Sequence, residues 1–282
     1  MKKSFTIIWF LGLFLFSCSN CGKNHQISTL IQIKGSDTMV NLVQAWAENF
    51  MKKNPSLSVA ITGGGSGTGI AALLNNTCHV TMSSRKIEGE ELELAKSKKI
   101  NPKEFIVGLD GIAVIVHPSN PLDKLTFKQI SDVFTGKIIN WKDLGGKEGK
   151  IMVISREVNS GTYHYFKEHV LGKENEYTEN ALLLISSQAV ADEIAQNPNA
   201  IGYYGMGYLS PNQKPLAIAK DANSSFVTPT FENVKNSTYH ISRPLFFYTN
   251  GKPQGVVKKF IDFILSDEGQ RIVKEINFVP IR

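Results

Sequence analysis

The sequence predicts an α/β fold in two lobes joined by two crossing strands, and three observations carry that expectation. Short β-rich runs alternate with helical patterns along most of the 282 residues, the rhythm of a sheet with largely parallel strands. Four segments rich in glycine and hydroxyl residues follow strand patterns and usually open a helix. Two further apolar runs, Val107 to His117 and Arg243 to Tyr248, lie where the chain would leave one lobe and return to it. A hydrophobic content of 42% at this length is ample for two medium cores or one large one.

Taken in order, Leu30-Ile31-Gln32-Ile33 reads as a strand and Gly35-Ser36-Asp37-Thr38 as the turn after it. Met39, Leu42, Val43, Trp46 and Phe50 fall on one face of a helix that Asn54-Pro55 stops. Leu57 to Thr62 is a second strand, ended by Gly63-Gly64-Gly65, with a helix starting near Thr68 and a third strand over His79 to Met82. The long strand pattern from Val107 is interrupted by Pro118 to Pro121, where the chain is expected to cross. A helix follows over Thr126 to Phe134, then a strand over Ile151 to Ser155, a helix near Ser160 and a strand over Ile201 to Tyr204. Arg243 to Tyr248 brings the chain back, and Val256 to Ile276 is helical in two pieces broken near Ser266 to Gly269. The expected lobes are 30–116 with 244–282, and 117–243. Two lobes on two crossing strands make a hinge suited to closing on a ligand.

The N-terminus reads as an export signal. Lys2 and Lys3 precede an apolar run from Phe5 to Phe16, the layout of a secretory leader over 1–17 and too short to span a bilayer comfortably. Leu15-Phe16-Ser17-Cys18 is similar to a lipobox, with Cys18 as the acylated residue and 18–29 as a polar tether. The remaining cysteines, Cys21 and Cys78, make neither a disulfide framework nor a zinc site. Formal charge is +6, falling to about +4 when Lys2 and Lys3 leave with the leader. That mild excess fits an anion partner. No basic run interleaved with aromatics marks a nucleic-acid groove.

Four segments share one design: Gly35-Ser36-Asp37-Thr38, Gly65-Ser66-Gly67-Thr68, Ser83-Ser84-Arg85 and Asn159-Ser160-Gly161-Thr162. Each can aim backbone N–H groups and a hydroxyl at one point, at the carboxyl ends of strands where open α/β sheets bind ligands. Ser, Thr, Asp and Gly are also ordinary helix caps, so the weight comes from four such segments and two arginines, Arg85 and Arg156. A guanidinium offers an oxyanion a planar, permanently charged fork. Asp110 interrupts an apolar stretch where a lone carboxylate would be costly. It either pairs with an arginine or accepts the proton of a hydrogen phosphate, which would repel sulfate.

Other chemistries find less support. Gly67-Thr68-Gly69-Ile70-Ala71-Ala72 fits a dinucleotide pattern, but the acidic residue expected after the next strand is missing. The six histidines show no paired metal spacing, and no base is evident beside Ser160, so no cofactor and no enzyme activity are expected.

Over Ile31 to Arg282 the chain resembles the phosphate-binding proteins of high-affinity phosphate ABC importers. The matching stretches include Ile33 to Thr38, Gly63 to Ile70, Ser83 to Arg85, Leu109 to Ala113, Phe134 to Trp141, Arg156 to Thr162, Ala200 to Tyr204 and Tyr239 to Leu245. That resemblance implies a type II periplasmic-binding-protein fold, inorganic phosphate as ligand, a permease partner, a membrane-anchored lipoprotein and a monomer. It also implies that Thr38 and Ser66 bind phosphate from the first lobe, and Arg156, Ser160, Gly161 and Thr162 from the second. Gly67, Thr68, Ser84, Arg85 and Asp110 complete the candidate set. One departure stands out: many members of that family carry a Ser-Asp pair that accepts the phosphate proton, where this chain has Ser84-Arg85. Either Asp110 supplies the acceptor, or the proton is read more weakly, with Arg85 facing Asp110 or the anion. The alternatives are a binding protein for sulfate, molybdate or a phosphonate, and a phosphatase-type enzyme.

Overall fold

The computed structural model describes residues 29–282; the leader, Cys18 and the tether up to residue 28 lie outside the described residues. The first half of the fold opens with β1 (Thr29–Gly35), α1 (Val40–Lys53), β2 (Leu57–Thr62), α2 (Ser66–Leu74), β3 (Val80–Ser83) and α3 (Gly89–Ser97). β4 (Pro102–Val116) runs out of it. The second half follows as β5 (Lys124–Thr126), α4 (Phe127–Phe134), β6 (Met152–Arg156), α5 (Gly161–Phe166), β7 (Leu182–Leu184) and α6 (Ser187–Gln196), then β8 (Ala200–Gly205), β9 (Lys214–Pro215), β10 (Ala217–Ala219) and α7 (Phe231–Lys235). β11 (Ser242–Asn250) returns, and α8 (Gly255–Ile264) and α9 (Asp267–Glu275) join the first half.

The α/β class is as expected, with a more mixed sheet. Its strand order is β2-β1-β3-β11-β4-β8-β6-β7. β1 lies parallel to β2 and β3 on one side, and β6 parallel to β7 and β8 on the other. The long strands between them run antiparallel to their neighbours. β4 changes partner midway: it pairs with β11 from Pro102 to Gly111 and with β8 from Ile112 to Val116. A third segment also spans the middle, because Leu109 and Val279 exchange backbone hydrogen bonds of 2.7 and 3.0 Å.

Each half has its own core. Leu42, Val43, Trp46 and Phe50 of α1 are buried against Phe247, Phe260 and Val273, and the Trp46 indole donates to the Gly269 carbonyl at 2.7 Å. Burying each such side chain contributes about 1.5–3 kcal/mol. In the second half Phe134, Phe166 and Tyr203 form the centre, the last two stacked at 3.9 Å.

Two local features place the loops. α2 starts at Ser66, two residues before the expected Thr68, because Gly65 takes φ +93° and turns the chain straight into the helix. Ser160 caps α5 as anticipated, accepting from the Thr162 and Tyr163 N–H groups at 3.2 and 3.4 Å.

Candidate anion site between the two halves

The loops after β1, β2, β3 and β6 converge where the halves meet. From the first half come three hydroxyls: Ser36 Oγ donates to Ser84 Oγ at 2.9 Å, Ser66 and Ser84 Oγ lie 3.3 Å apart, and the Ser84 N–H donates to Ser66 Oγ at 3.0 Å. Gly161 of the second half closes on this group so tightly that a Cβ there would lie 2.4 Å from Ser66 Oγ and 2.7 Å from Ser84 Oγ. Beside it, Thr38 and Thr162 join the halves through hydroxyls 2.8 Å apart. The expected residues Thr38, Ser66, Ser84, Gly161 and Thr162 are thus brought together, with Ser160 behind them as the cap.

Arg156 comes from the end of β6 and crosses to the first half. Its Nη2 donates to Asp37 Oδ2 at 3.0 Å and to the Ile185 carbonyl at 2.9 Å, Nη1 to Ser187 Oγ at 2.9 Å, and Nε to the Leu184 carbonyl at 3.2 Å. Four of the five guanidinium N–H groups are engaged this way, which fixes the head rigidly. Burial pushes its pKa down, and the Asp37 carboxylate works against that shift. Asp37 is held in turn by the Gly64 N–H at 3.0 Å, and its carbonyl accepts from Tyr208 Oη of the second half at 2.6 Å.

Asp110 is wholly buried and is paired. Arg243 Nε and Nη2 donate to its Oδ2 at 3.2 and 2.9 Å, and the Met206 N–H donates to Oδ1 at 3.1 Å. Burial raises the carboxyl pKa, while the guanidinium and the Met206 N–H pull the other way. Arg243 Nη2 also donates to Thr162 Oγ1 at 2.8 Å and reaches Thr38 Oγ1 at 3.5 Å.

Three expectations change. Arg85 faces neither Asp110 nor the hydroxyl cluster: its Nη1 and Nη2 grip Glu91 at 2.8 Å each, with Glu88 at 3.4 Å. The carboxylates three and six residues downstream capture it locally. Gly67 and Thr68 serve the contact between halves instead of the cluster. The Gly67 N–H donates to the Asn159 carbonyl at 3.0 Å, and Asn159 Nδ2 reaches the Gly64 carbonyl at 2.8 Å and Thr68 Oγ1 at 3.4 Å. The third change is Arg243, which the candidate set omits. The signal for it exists in the strands: Arg243 stands directly opposite Asp110 in the β11–β4 register, one charge in each of two apolar crossing runs.

Every charged or hydroxyl side chain of the cluster, from Ser36, Thr38, Ser66, Ser84 and Asp110 to Arg156, Thr162 and Arg243, is at most 2% exposed. Donors gathered from two halves around a water-poor point are what an oxyanion needs, since each hydrogen bond to it gains strength there. A chamber of about 380 Å³ lined by Ser84, Tyr165, Arg243 and Phe246 adjoins the cluster between the halves.

The same architecture recurs in known proteins. Residues 22–268 match the PBP superfamily domain. The phosphate-binding protein PstS of Pseudomonas aeruginosa is 33% identical over 264 residues, covering 88% of this chain and 81% of that one. The protein of the same name from Borreliella burgdorferi is 31% identical over the whole of both chains. Among solved structures, a Clostridium perfringens protein described as a phosphate ABC transporter substrate-binding protein with bound phosphate superposes with a TM-score of 0.83 at 36% identity, covering 90% of this chain and all of that one. An ABC-type phosphate transport receptor from Vibrio cholerae gives 0.70 at 28% identity, covering 88% and 99%. With whole-length similarity in sequence and structure joined to the buried two-sided cluster, the chain belongs to the PBP superfamily and, within it, to the PstS family of phosphate-binding proteins.

Proposed function

We propose that this protein captures inorganic phosphate between its two lobes and delivers it to the permease of an ABC importer. The observation that carries the reading is the buried meeting of Thr38, Ser66 and Ser84 with Gly161 and Thr162 across the cleft. Hydroxyls both donate and accept, so they can follow whichever phosphate oxygen carries the proton. The Arg156 guanidinium, with four N–H groups fixed by protein acceptors, presents its fifth to the anion without losing rotamer freedom on binding. The open form takes the anion on one lobe; closure then brings the second set of donors and expels water.

In this reading the lobes are 30–111 with 244–282, and 112–243, since β4 exchanges β11 for β8 at Gly111 and Ile112, and β4 and β11 form the hinge. The protein acts as a monomeric, non-enzymatic carrier, exported by the leader and held to the membrane through acylated Cys18. The family names of the relatives and the export-type N-terminus support this placement. Isothermal titration of the leaderless protein with phosphate, sulfate and molybdate tests the ligand. Phosphate should give saturable heat at micromolar protein with sulfate and molybdate weaker. Heat from sulfate or molybdate alone would make it a carrier of another oxyanion, and phosphate release from a generic ester would make it an enzyme.

A further inference from the structure

We infer that Arg243 is a direct ligand of the captured anion and that Asp110 positions it, so that no carboxylate of the cluster reads the phosphate proton. The inference rests on the phosphate reading of the cleft and adds to it a second cationic ligand and a different role for the buried acid. Arg243 lies on β11, with Asp110 opposite it on β4. Through Nε and Nη2 it holds Asp110, and through Nη2 it touches the threonine pair that joins the halves. Its Nη1 is buried and has no hydrogen-bond partner among the described residues. A buried guanidinium nitrogen without an acceptor carries the full desolvation penalty of a charged donor. An oxyanion seated among the Thr38, Ser66, Ser84 and Thr162 hydroxyls supplies that acceptor, on the side of Arg243 away from Asp110.

Asp110 has the surroundings of a clamp. One oxygen takes the Met206 N–H and the other takes two guanidinium N–H groups. The Gly205 backbone walls it in, since a Cβ at that glycine would lie 2.8 Å from both carboxylate oxygens. Asp37, the other acid close by, is occupied by the Gly64 N–H and by Arg156. A hydrogen bond from a protonated phosphate oxygen is therefore accepted by the hydroxyls, which can equally donate to a bare oxygen, and the preference for phosphate over sulfate owes nothing to Asp110.

The test is a set of titrations with phosphate and with sulfate on the wild type, R243Q, R243K, D110N and the double variant D110N/R243Q, each checked for folding by its circular-dichroism melt. R243Q should weaken phosphate binding on the order of 10- to 100-fold, the loss of a hydrogen bond to a charged group. R243K should recover part of that loss, because an ammonium keeps the charge but not the fork. The double variant leaves no buried charge unpaired, so it decides the matter even where R243Q fails to fold. It should stay on the order of 10- to 100-fold weak; recovery to within about twofold of wild type would make Arg243 a mere partner of Asp110 and overturn the inference. D110N should keep the phosphate-to-sulfate affinity ratio within about twofold of wild type, and a collapse of that ratio would restore Asp110 as the proton acceptor. Wild-type protein that binds no phosphate would instead overturn the functional reading beneath.

Discussion

At the scale of single residues the site depends on what is missing from position 161. Gly161 has no need of an unusual backbone; it stands at the first turn of α5, where alanine would be comfortable. What it needs is space, because a methyl there would sit within 2.4 Å of Ser66 Oγ and 2.7 Å of Ser84 Oγ, both in the opposite half. Gly161→Ala should leave the ligand-free protein as stable as wild type, or slightly more so. It should weaken phosphate binding roughly 5- to 150-fold, because closure must push the serines apart and overpacking typically costs about 1–3 kcal/mol. Paired denaturant and calorimetric titrations check both halves of that statement, and equal affinity would show that the lobes close elsewhere. Gly161, Ser160 and Thr162 were legible in the sequence because a strand end, a cap residue and a glycine sit side by side there. Arg243 was not, since it reads as one polar position in a strand until Asp110, 133 residues away, is placed opposite it.

Secondary-structure elements divide by the strength of their patterns. α1 buries Leu42, Val43, Trp46 and Phe50 along one stripe, and its limits follow from that stripe and from Asn54-Pro55. α3 buries only Ala95, so periodicity gives no sign of it, and the short edge strand β7 exposes Leu182 and Leu183. α3 is instead anchored by charge: Glu91 takes both terminal nitrogens of Arg85 and also the Glu88 N–H at 2.7 Å, closing a capping box. Burial works to raise the Glu91 carboxyl, but the Arg85 hydrogen bonds, the Glu88 N–H and the guanidinium charge bring it below its ordinary value of 4.5. A depressed carboxylate stabilises the fold above its unfolded pKa, and that contribution fades as pH falls through the folded value. Glu91→Gln should therefore cost about 1 kcal/mol at pH 7, allowing for partial solvent screening. The difference should shrink steadily as pH drops below 4.5, as read from urea unfolding at stepped pH. A gap that persists at pH 3 would mean that the amide fails for reasons of shape rather than charge.

For the whole molecule the question is how two separately cored halves move as rigid bodies. Three segments link them: β4, which exchanges β11 for β8 at Gly111 and Ile112; β11 itself; and the C-terminal stretch where Phe278 packs in one core and Val279 in the other. Other contacts across the cleft are local and mostly polar. They include Arg156 to Asp37, Tyr208 to the Asp37 carbonyl, Asn159 to the glycine loop, the paired threonines, His164 Nδ1 3.7 Å from Glu88 Oε1, and the Lys274 ammonium over the Phe231 ring. Each such bond contributes about 0.5–1.5 kcal/mol net, somewhat more where a charge is involved, so closure without ligand is a balanced equilibrium that differential affinity can tip. Phosphate should then reduce the radius of gyration in small-angle scattering of the wild type. At 100 times its Kd it should stabilise the fold by about 2.7 kcal/mol, the mass-action limit for a ligand bound only by the native state. Gly161→Ala, blocked at the serine cluster, should show little compaction at the same occupancy. Compaction equal to wild type in that variant would place the closing motion at the three linking segments alone, with the anion cluster following it passively.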